Sequence, residues 1–339
     1  MAAESGLYVL GLTAQGKAHL TVRRPDGSWR AFEEVPLVAG DTAALTAVAA
    51  GGFTGDSSDT FFSFHACAAT ADGRLLHART GPDGLRPPLA DIEPVVGDRG
   101  EYTALAALKR HDFPEGPGPF TGLSVHGVTA QARVFRTDRD GKGQWGPLEE
   151  LPASTGYQGG VVALDIAASA SATDSAFHLV AVTGNGRLLH TYTNGRGTDV
   201  PFYDVEGPAG ERGDFRRAAC AAPEGHPEQL HLCGVTADGR LWHALHVGAF
   251  SLPFPFPGRR LELWTQLGDV EGQAGERGSV RHVACRTAGQ DLHVCAVTAD
   301  GRLWHALRRG GDGTWTSFGD VEGQAGERGQ FVQVALSEA

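Results

Sequence analysis

Four stretches of the chain place an acid and an arginine side by side between two glycines. An arginine guanidinium binds a carboxylate or a pair of oxygen atoms through parallel hydrogen bonds, so such a pair suits polar ligands and backbone carbonyls alike. The four arginines are called the link arginines below. The pairs are Asp98 and Arg99, Glu211 and Arg212, Glu276 and Arg277, and Glu327 and Arg328.

A histidine precedes each of these pairs in the strings ATADGRLLH, VTGNGRLLH and twice VTADGRLWH. These histidines are His77, His190, His243 and His305. Two related strings, LTAQGKAHL and VTAQARVFR, have Leu20 and Arg136 instead, and the links that follow them read GDTA and GYQG. Because both features are missing from the same two units, we expect the histidine and the acid–arginine pair to share a contact or a site.

Two interpretations of this shared set remain open. In the first, histidine, acid and arginine form a hydrogen-bonded brace within the fold. In the second, they line four equivalent pockets, with Trp242 and Trp304 near two of them. An arginine, a carboxylate, an imidazole and an aromatic ring suit a sugar, whose hydroxyl groups need paired donors and acceptors and whose apolar face stacks on a ring.

The strings themselves recur six times, at steps of 53 to 62 residues. Each unit has the pattern of four short strands separated by a Thr-x-x-Gly type turn and Gly-rich links, which is typical of a propeller blade. The sequence therefore predicts an all-β fold, a six-bladed β-propeller of four-stranded antiparallel blades in one domain over residues 1–339. The units span about 6–50, 61–108, 121–168, 176–221, 229–286 and 291–339.

The ends of the chain indicate how the ring closes. The first unit begins with its second strand, LYVLGLTA, whereas the last unit ends with a spare strand, GQFVQVALSEA. Pairing the spare strand with the first unit leaves no open edge. The strand directions place the turns and the acid–arginine links on one face, which we call the turn face, and the irregular loops on the opposite face.

One irregular loop, FSLPFPFPG at 250–258, is rich in phenylalanine and proline. It either packs as a lid on the ring or exposes an apolar patch to a protein partner or to a second copy of the chain. The candidate partner-binding residues are Phe250, Phe254 and Phe256. No cofactor motif is evident, so we expect no cofactor and favour a non-catalytic role. An enzyme with one asymmetric pocket, or with a metal on the propeller axis, is a further alternative.

The composition of the chain argues against two classes of partner, nucleic acids and membranes. The net charge of −11 disfavours nucleic acid, and the apolar runs are too short to span a membrane. The first residues lack a basic segment, so we expect a cytoplasmic protein, with non-classical release left open. Cys220 and Cys233, and Cys285 and Cys295, flank equivalent hairpins, where they are either disulfide partners or buried thiols.

In its architecture the chain resembles the six-bladed fucose-binding lectins of fungi and the related bacterial propeller lectins. This resemblance implies sugar sites between adjacent blades, held by an arginine, a carboxylate and an aromatic ring. The link arginines and their neighbouring acids are the repeated positions that match. The sequence thus favours a multivalent carbohydrate-binding protein with up to four sites. A protein-interaction scaffold that uses the 250–258 loop is the alternative.

Overall fold

The computed structural model describes residues 6–54, 62–80, 88–111, 121–151, 159–170, 175–193, 202–223, 225–226, 229–251 and 260–338. The first half of the described strands comprises β1 (Leu7–Thr13), β2 (Ala18–Arg23), β3 (Glu33–Glu34), β4 (Leu45–Thr54), β5 (Phe62–Thr70), β6 (Leu75–Arg79), β7 (Ala90–Asp91), β8 (Tyr102–His111), β9 (Thr121–Thr129), β10 (Val134–Arg139), β11 (Glu149–Leu151) and β12 (Val161–Ala170). The remainder comprises β13 (Ser175–Thr183), β14 (Leu188–Thr193), β15 (Tyr203–Asp204), β16 (Phe215–Ala221), β17 (Leu230–Thr236), β18 (Leu241–Ser251), β19 (Arg260–Trp264), β20 (Gly268–Asp269), β21 (Val280–Ala288), β22 (Asp291–Thr298), β23 (Leu303–Arg308), β24 (Gly319–Asp320) and β25 (Phe331–Glu338).

These strands form six antiparallel sheets, which are the blades of a propeller. Blade 1 contains β25, β1, β2 and β3; blade 2, β4 to β7; blade 3, β8 to β11; blade 4, β12 to β15; blade 5, β16 to β20; and blade 6, β21 to β24. The innermost strands β25, β4, β8, β12, β16 and β21 contact one another in succession around the axis. The predicted all-β, six-bladed fold is confirmed.

The ring closes between the two ends of the chain, as predicted. Strand β25 pairs antiparallel with β1, with Leu7 opposite Glu338 and Leu12 opposite Gln333. The closure is tightly packed, since a Cβ atom added at Gly11 would lie 2.4 Å from the Phe331 ring. Strand β25 therefore covers the inner edge of β1, which would otherwise be unpaired.

The hydrophobic core lies between adjacent blades. One apolar cluster joins Leu10 and Leu20 of blade 1 to Val48 and Ala66 of blade 2, and another joins blades 5 and 6. Alternating side chains of a strand point to opposite faces, so each blade packs against both of its neighbours. Stability therefore comes from contacts between blades, and residues at those interfaces are both structural and candidate site residues.

The Thr-x-x-Gly turns lie on the same face as the links between blades, as the strand directions predict. In blade 5 the Gly239 amide donates to the Thr236 carbonyl at 2.9 Å. Gly239 has φ of +83°, which favours glycine. The Gly239 carbonyl accepts from Val280, the first residue of β21, at 2.9 Å. Blade 3 has Ala132 at the equivalent turn position, with φ of +60°.

Four short helices were not predicted. They are α1 (Glu93–Val96), α2 (Glu206–Ala209), α3 (Val270–Ala274) and α4 (Glu322–Ala325). Each follows a two-residue outer strand and ends at the first glycine of a Gly-acid-Arg-Gly link. The side chain of Asp269 caps α3 by accepting from the Gly272 amide at 3.1 Å. A single helical turn has too few residues for its periodicity to show in the sequence.

The cysteines do not pair as the hairpins suggested. In β16 and β17, Cys220 lies opposite Leu232 and Cys233 lies opposite Ala219, so the two side chains point to different faces of the blade. Cys285 and Cys295 are offset in the same way. All five cysteines of the chain are buried and free. The buried-thiol interpretation is therefore the right one for these residues.

Candidate functional site

The four predicted histidines each hydrogen bond to a second histidine in the same blade. The inner partner lies on the neighbouring strand, and a ring nitrogen of each histidine takes part. The Nδ1 to Nε2 distances are 2.8 Å for His65 and His77, 3.0 Å for His178 and His190, 3.0 Å for His231 and His243, and 2.9 Å for His293 and His305. Because one imidazole must donate and the other accept, each pair fits two neutral rings.

Burial keeps these rings neutral in three of the four pairs. It lowers the pKa of His77 to about 3, and the pKa of His231 and of His293 to about 4. It also holds the pKa values of His65, His243 and His305 well below 6.5. Nearby arginines push these pKa values further in the same direction.

A tryptophan from the next blade packs edge-on against each outer histidine. Trp145 lies 5.0 Å from His77, Trp264 lies 5.3 Å from His190, Trp315 lies 5.5 Å from His243, and Trp29 lies 5.4 Å from His305, measured between ring centroids. The interplanar angles of 78° to 85° are those of favourable edge-to-face contacts. These tryptophans lie in the segments that precede the short outer strands β3, β11, β20 and β24.

The link arginines also reach into the next blade. Their guanidinium groups donate to backbone carbonyls there. Arg99 donates to Leu148 at 3.1 Å, Arg212 to Leu267 at 2.8 Å, Arg277 to Phe318 at 3.1 Å, and Arg328 to Phe32 at 2.7 Å. Arg212 stacks over Trp242 at 4.9 Å, and Arg277 over Trp304 at 5.1 Å. The brace interpretation therefore describes these arginines.

The two features meet on one segment of the next blade. Between blades 5 and 6, His243 packs on Trp315 and Arg277 binds the carbonyl of Phe318, three residues later. We call such an outer histidine and link arginine, with the tryptophan and carbonyl that they hold, a latch. Latches join blades 2 and 3, 4 and 5, 5 and 6, and 6 and 1. This shared segment accounts for the joint loss of histidine and arginine in units one and three.

Within a latch the histidine and the arginine contact different groups. His243 packs on the Trp315 ring, whereas Arg277 donates to the Phe318 carbonyl and stacks over the Trp304 ring. Glu276, the acid beside Arg277, pairs with Arg240 instead. Among the described residues, no contact joins His243 directly to Glu276 or Arg277.

The acids of the links have intramolecular partners. Arg240 of the blade 5 turn pairs with Glu276 at 2.9 Å and also with Asp269. Glu271, which is buried, accepts from the Leu241 amide at 3.1 Å. The same contacts recur in blade 6 around Arg302. Among the described residues no group of three or more histidine, cysteine or acidic side chains is placed to hold a metal ion.

A second set of arginines, which the sequence did not single out, lies beside the latches. Arg23, Arg139 and Arg308 each end the third strand of a blade and form a bridge with the tryptophan of that blade, Trp29, Trp145 and Trp315. We call them the strand-end arginines. In blade 5 the same position is His246, which pairs with Trp264 in the ladder. A signal was available, because these residues lie ten positions after the repeated threonine.

The strand-end arginines lie close enough to the histidine pairs to lower their pKa values, and none of the described carboxylates forms an ion pair with these arginines. Burial is the main cause that lowers the pKa of Arg139 and of Arg308. Within the part of the chain that the structure describes, no side-chain hydrogen bond or ion pair engages Arg23, Arg139 or Arg308. A partly buried guanidinium without acceptors is uncommon, because its desolvation is then not offset. Each interface therefore offers free donors beside an indole ring and an imidazole.

The partner surface predicted at the 250–258 loop lies largely outside the residues that the structure describes. Phe254 and Phe256 lie outside the described residues, as does the side chain of Phe250, so the proposed partner surface at 250–258 stays a prediction. No helix among the described residues has the length and apolar character needed to cross a membrane; the longest has five residues.

No protein-family model matches the chain. A search of curated protein sequences also finds no match. Solved structures do match over nearly the whole chain. A fucose-specific lectin from Aleuria aurantia has 14% identity and a TM-score of 0.56, covering 93% of this chain and 95% of the lectin.

Two further structures give the same result. AofleA from Arthrobotrys oligospora has 10% identity and a TM-score of 0.57, covering 99% of this chain and 90% of AofleA. A lectin from Burkholderia pseudomallei has 16% identity and a TM-score of 0.56, covering 94% of this chain and 84% of that one. At such low identity the likeness concerns the backbone, and it shows that the chain has the six-bladed propeller fold found in these lectins.

Proposed function

We propose that the protein is a multivalent carbohydrate-binding protein whose sites lie between blades, beside the strand-end arginines. The observation that carries this proposal is the repeated combination of a partly exposed indole, a neutral histidine pair and a guanidinium that has no side-chain partner among the described residues. It occurs at three interfaces, at Arg23, Arg139 and Arg308. The guanidinium supplies paired donors for hydroxyl or carboxylate oxygens, and the indole supplies a surface for the apolar face of a sugar.

The contacts favour these arginines over the link arginines as ligand donors. Arg277 already uses its guanidinium on the Phe318 carbonyl and on the Trp304 ring. A ligand at Arg277 would have to break those contacts, whereas a ligand at Arg308 would gain donors that have no acceptor among the described residues. The outer histidines His77, His243 and His305 were predicted from the sequence to bind ligand beside the link arginines; in this proposal they form the polar base of the sites beside the strand-end arginines.

Repetition favours binding over catalysis. The same residue types recur at three interfaces and so form three equivalent sites. Even if each site binds weakly, the three can bind at the same time to a surface that displays many copies of a sugar. Fucosides are the first ligands to test, because the Aleuria aurantia lectin of the same fold has been solved with alpha-methyl-L-fucoside.

The test is a glycan array probed with labelled protein, followed by titration calorimetry of each soluble hit. We expect about three sugar equivalents per chain, one for each strand-end arginine. Arg308→Ala should remove one equivalent, and the triple substitution at Arg23, Arg139 and Arg308 should abolish array binding. Arg309→Ala is the matched control, because the adjacent Arg309 is exposed. An array without hits, or hits unchanged by the triple substitution, would contradict the proposal.

A further inference from the structure

A cavity of about 660 Å³ lies on the turn face between blades 5, 6 and 1, and it shares Arg217 and Gln333 with the space that all six innermost strands line. Three arginines line it, Arg216, Arg217 and Arg281, together with serine, threonine and glutamine side chains. None of the described residues that line the cavity is an acid. The residues that line the cavity carry positive charge, whereas the chain as a whole has a net charge of −11.

The fold repeats in all six blades, but the residues that line the cavity do not. Each innermost strand has a register shift near its start, and the residue just after the shift occupies an equivalent position in all six blades. Blades 2, 3 and 4 have alanine at this position, and blades 5, 6 and 1 have polar residues. The residues are Ala47, Ala104, Ala163, Arg217, His282 and Gln333. Gln333 and His282 hydrogen bond to backbone groups of the next blade. Arg217 makes no such contact with the next blade among the described residues, so it is the polar residue of this set that packing does not explain.

Arg217 lines both this cavity and the space between the innermost strands. It is half-buried, and the one hydrogen bond of its side chain among the described residues goes from Nη1 to the carbonyl of the adjacent Arg216, at 2.9 Å. Burial lowers its pKa, and none of the described carboxylates forms an ion pair with it. The nearby His282 uses Nδ1 to accept from the Val334 amide at 3.5 Å. A desolvated guanidinium of this kind is costly unless an anion binds it.

Two exposed arginines complete the cavity at its rim. Arg216 lies 3.9 Å from Asp214, a distance at the limit of an ion pair, with both side chains more than half exposed. Arg281 has no hydrogen bond or ion pair within the described part of the chain. Three guanidinium groups around one cavity are suited to phosphate oxygens, which accept several parallel hydrogen bonds.

We propose that this cavity is a single binding site for a small polyanion that carries phosphate groups, with Arg217 at its base and Arg216 and Arg281 at its rim. The volume of about 660 Å³ is that of a site for a small organic molecule. The proposal does not rest on the carbohydrate sites, which lie between the outer parts of the blades and recur. It assigns to the axis a ligand that binds once per ring.

The test is titration calorimetry with pyrophosphate at low ionic strength and without sugar. Citrate is the comparison anion, since it carries several negative charges but no phosphate. We expect one pyrophosphate per chain, and at least about tenfold weaker binding in Arg217→Gln, since loss of a charged hydrogen-bond donor costs that much or more. Arg281→Gln should weaken binding severalfold, and Arg309→Gln should leave it unchanged. Citrate is expected to bind more weakly than pyrophosphate.

Three results would overturn the proposal. They are no heat with pyrophosphate, equal affinity in Arg217→Gln and wild type, and stronger binding of citrate than of pyrophosphate. Circular dichroism and the melting temperature establish that Arg217→Gln is folded; if it is not, the exposed Arg281→Gln decides the question. Glycan binding measured on the same variants is expected to be unchanged, so failure of the carbohydrate proposal and failure of this one are distinguishable.

Discussion

Lowering the pH from 7.5 to 5.5 should destabilise the ring through the histidine pairs. In the folded protein, burial holds the pKa of six paired histidines below the ordinary value of 6.5, to about 3 for His77 and about 4 for His231 and His293. In the unfolded chain the same side chains take up protons below pH 6.5. The unfolded state therefore binds more protons as the pH falls, and stability present above pH 6.5 is lost toward pH 4.

The magnitude follows from this difference in proton binding. Consider a histidine that has a pKa of 6.5 in the unfolded chain and stays neutral in the folded chain. It lowers the free energy of unfolding by about 1.3 kcal/mol between pH 7.5 and 5.5. Six such histidines give about 8 kcal/mol, and about 4 kcal/mol if each pair takes up one shared proton in the folded state. Domains commonly have only about 5–15 kcal/mol, so the ring should be close to unfolding at pH 5.5.

The assay is urea unfolding at pH 7.5, 6.5 and 5.5, followed by tryptophan fluorescence. Blade 1 supplies the matched variant, because it has Tyr8 and Leu20 where blade 6 has His293 and His305. The double variant His293→Tyr with His305→Leu should lose about 1–3 kcal/mol less than wild type between pH 7.5 and 5.5. A wild-type stability that does not fall over this range, or an equal fall in the double variant, would refute the reasoning.

Two substitutions test the packing between and within blades. Arg277→Ala removes the hydrogen bond to the Phe318 carbonyl and should lower the free energy of unfolding by about 1–2 kcal/mol, measured in urea; an unchanged value would show that the latch does not stabilise the ring. Gly11→Ala places a Cβ atom 2.4 Å from the buried Phe331 ring and should cost about 1–3 kcal/mol at the closure. Gly311→Ala, which has no neighbouring atom within 4 Å, is its control, and equal melting temperatures for the two variants would contradict the packing argument.

The sequence was sufficient for the fold because the propeller repeats its own local signals. The Thr-x-x-Gly turns set the strand ends in every unit, and the spare strand at Phe331–Glu338 has its partner in Leu7–Thr13. Even the turn with Ala132 in place of glycine could be placed, since its neighbours in the unit keep their spacing. Strand order and closure then follow from antiparallel pairing alone.

The candidate site was predicted only in part, because its contacts cross from one repeat to the next. The joint loss of histidine and link arginine correctly indicated a relation, but the segment that they share belongs to the following blade, as with Trp315 and Phe318 for His243. Alignment of units shows which positions repeat and does not show which positions of two neighbouring units touch. The strand-end arginines repeat ten positions after the threonine, but the histidine pairs that they approach belong to the preceding unit. The inner histidines pair within their own blade, and their repeated position five residues before the threonine was an available signal.

The latch also sets rules for how blades can be exchanged. Blades 5 and 6 each carry both halves, the histidine and link arginine on the outgoing side and the tryptophan on the incoming side, so one copy of either can follow another. Blades 2 and 4 offer only the outgoing half, and blades 1 and 3 only the incoming half. A duplicate of blade 5 or of blade 6 would therefore find a matching latch half on both sides, whereas a second blade 2 would leave the first blade 2 without the tryptophan that its histidine contacts. The near-identity of units five and six is what this compatibility permits.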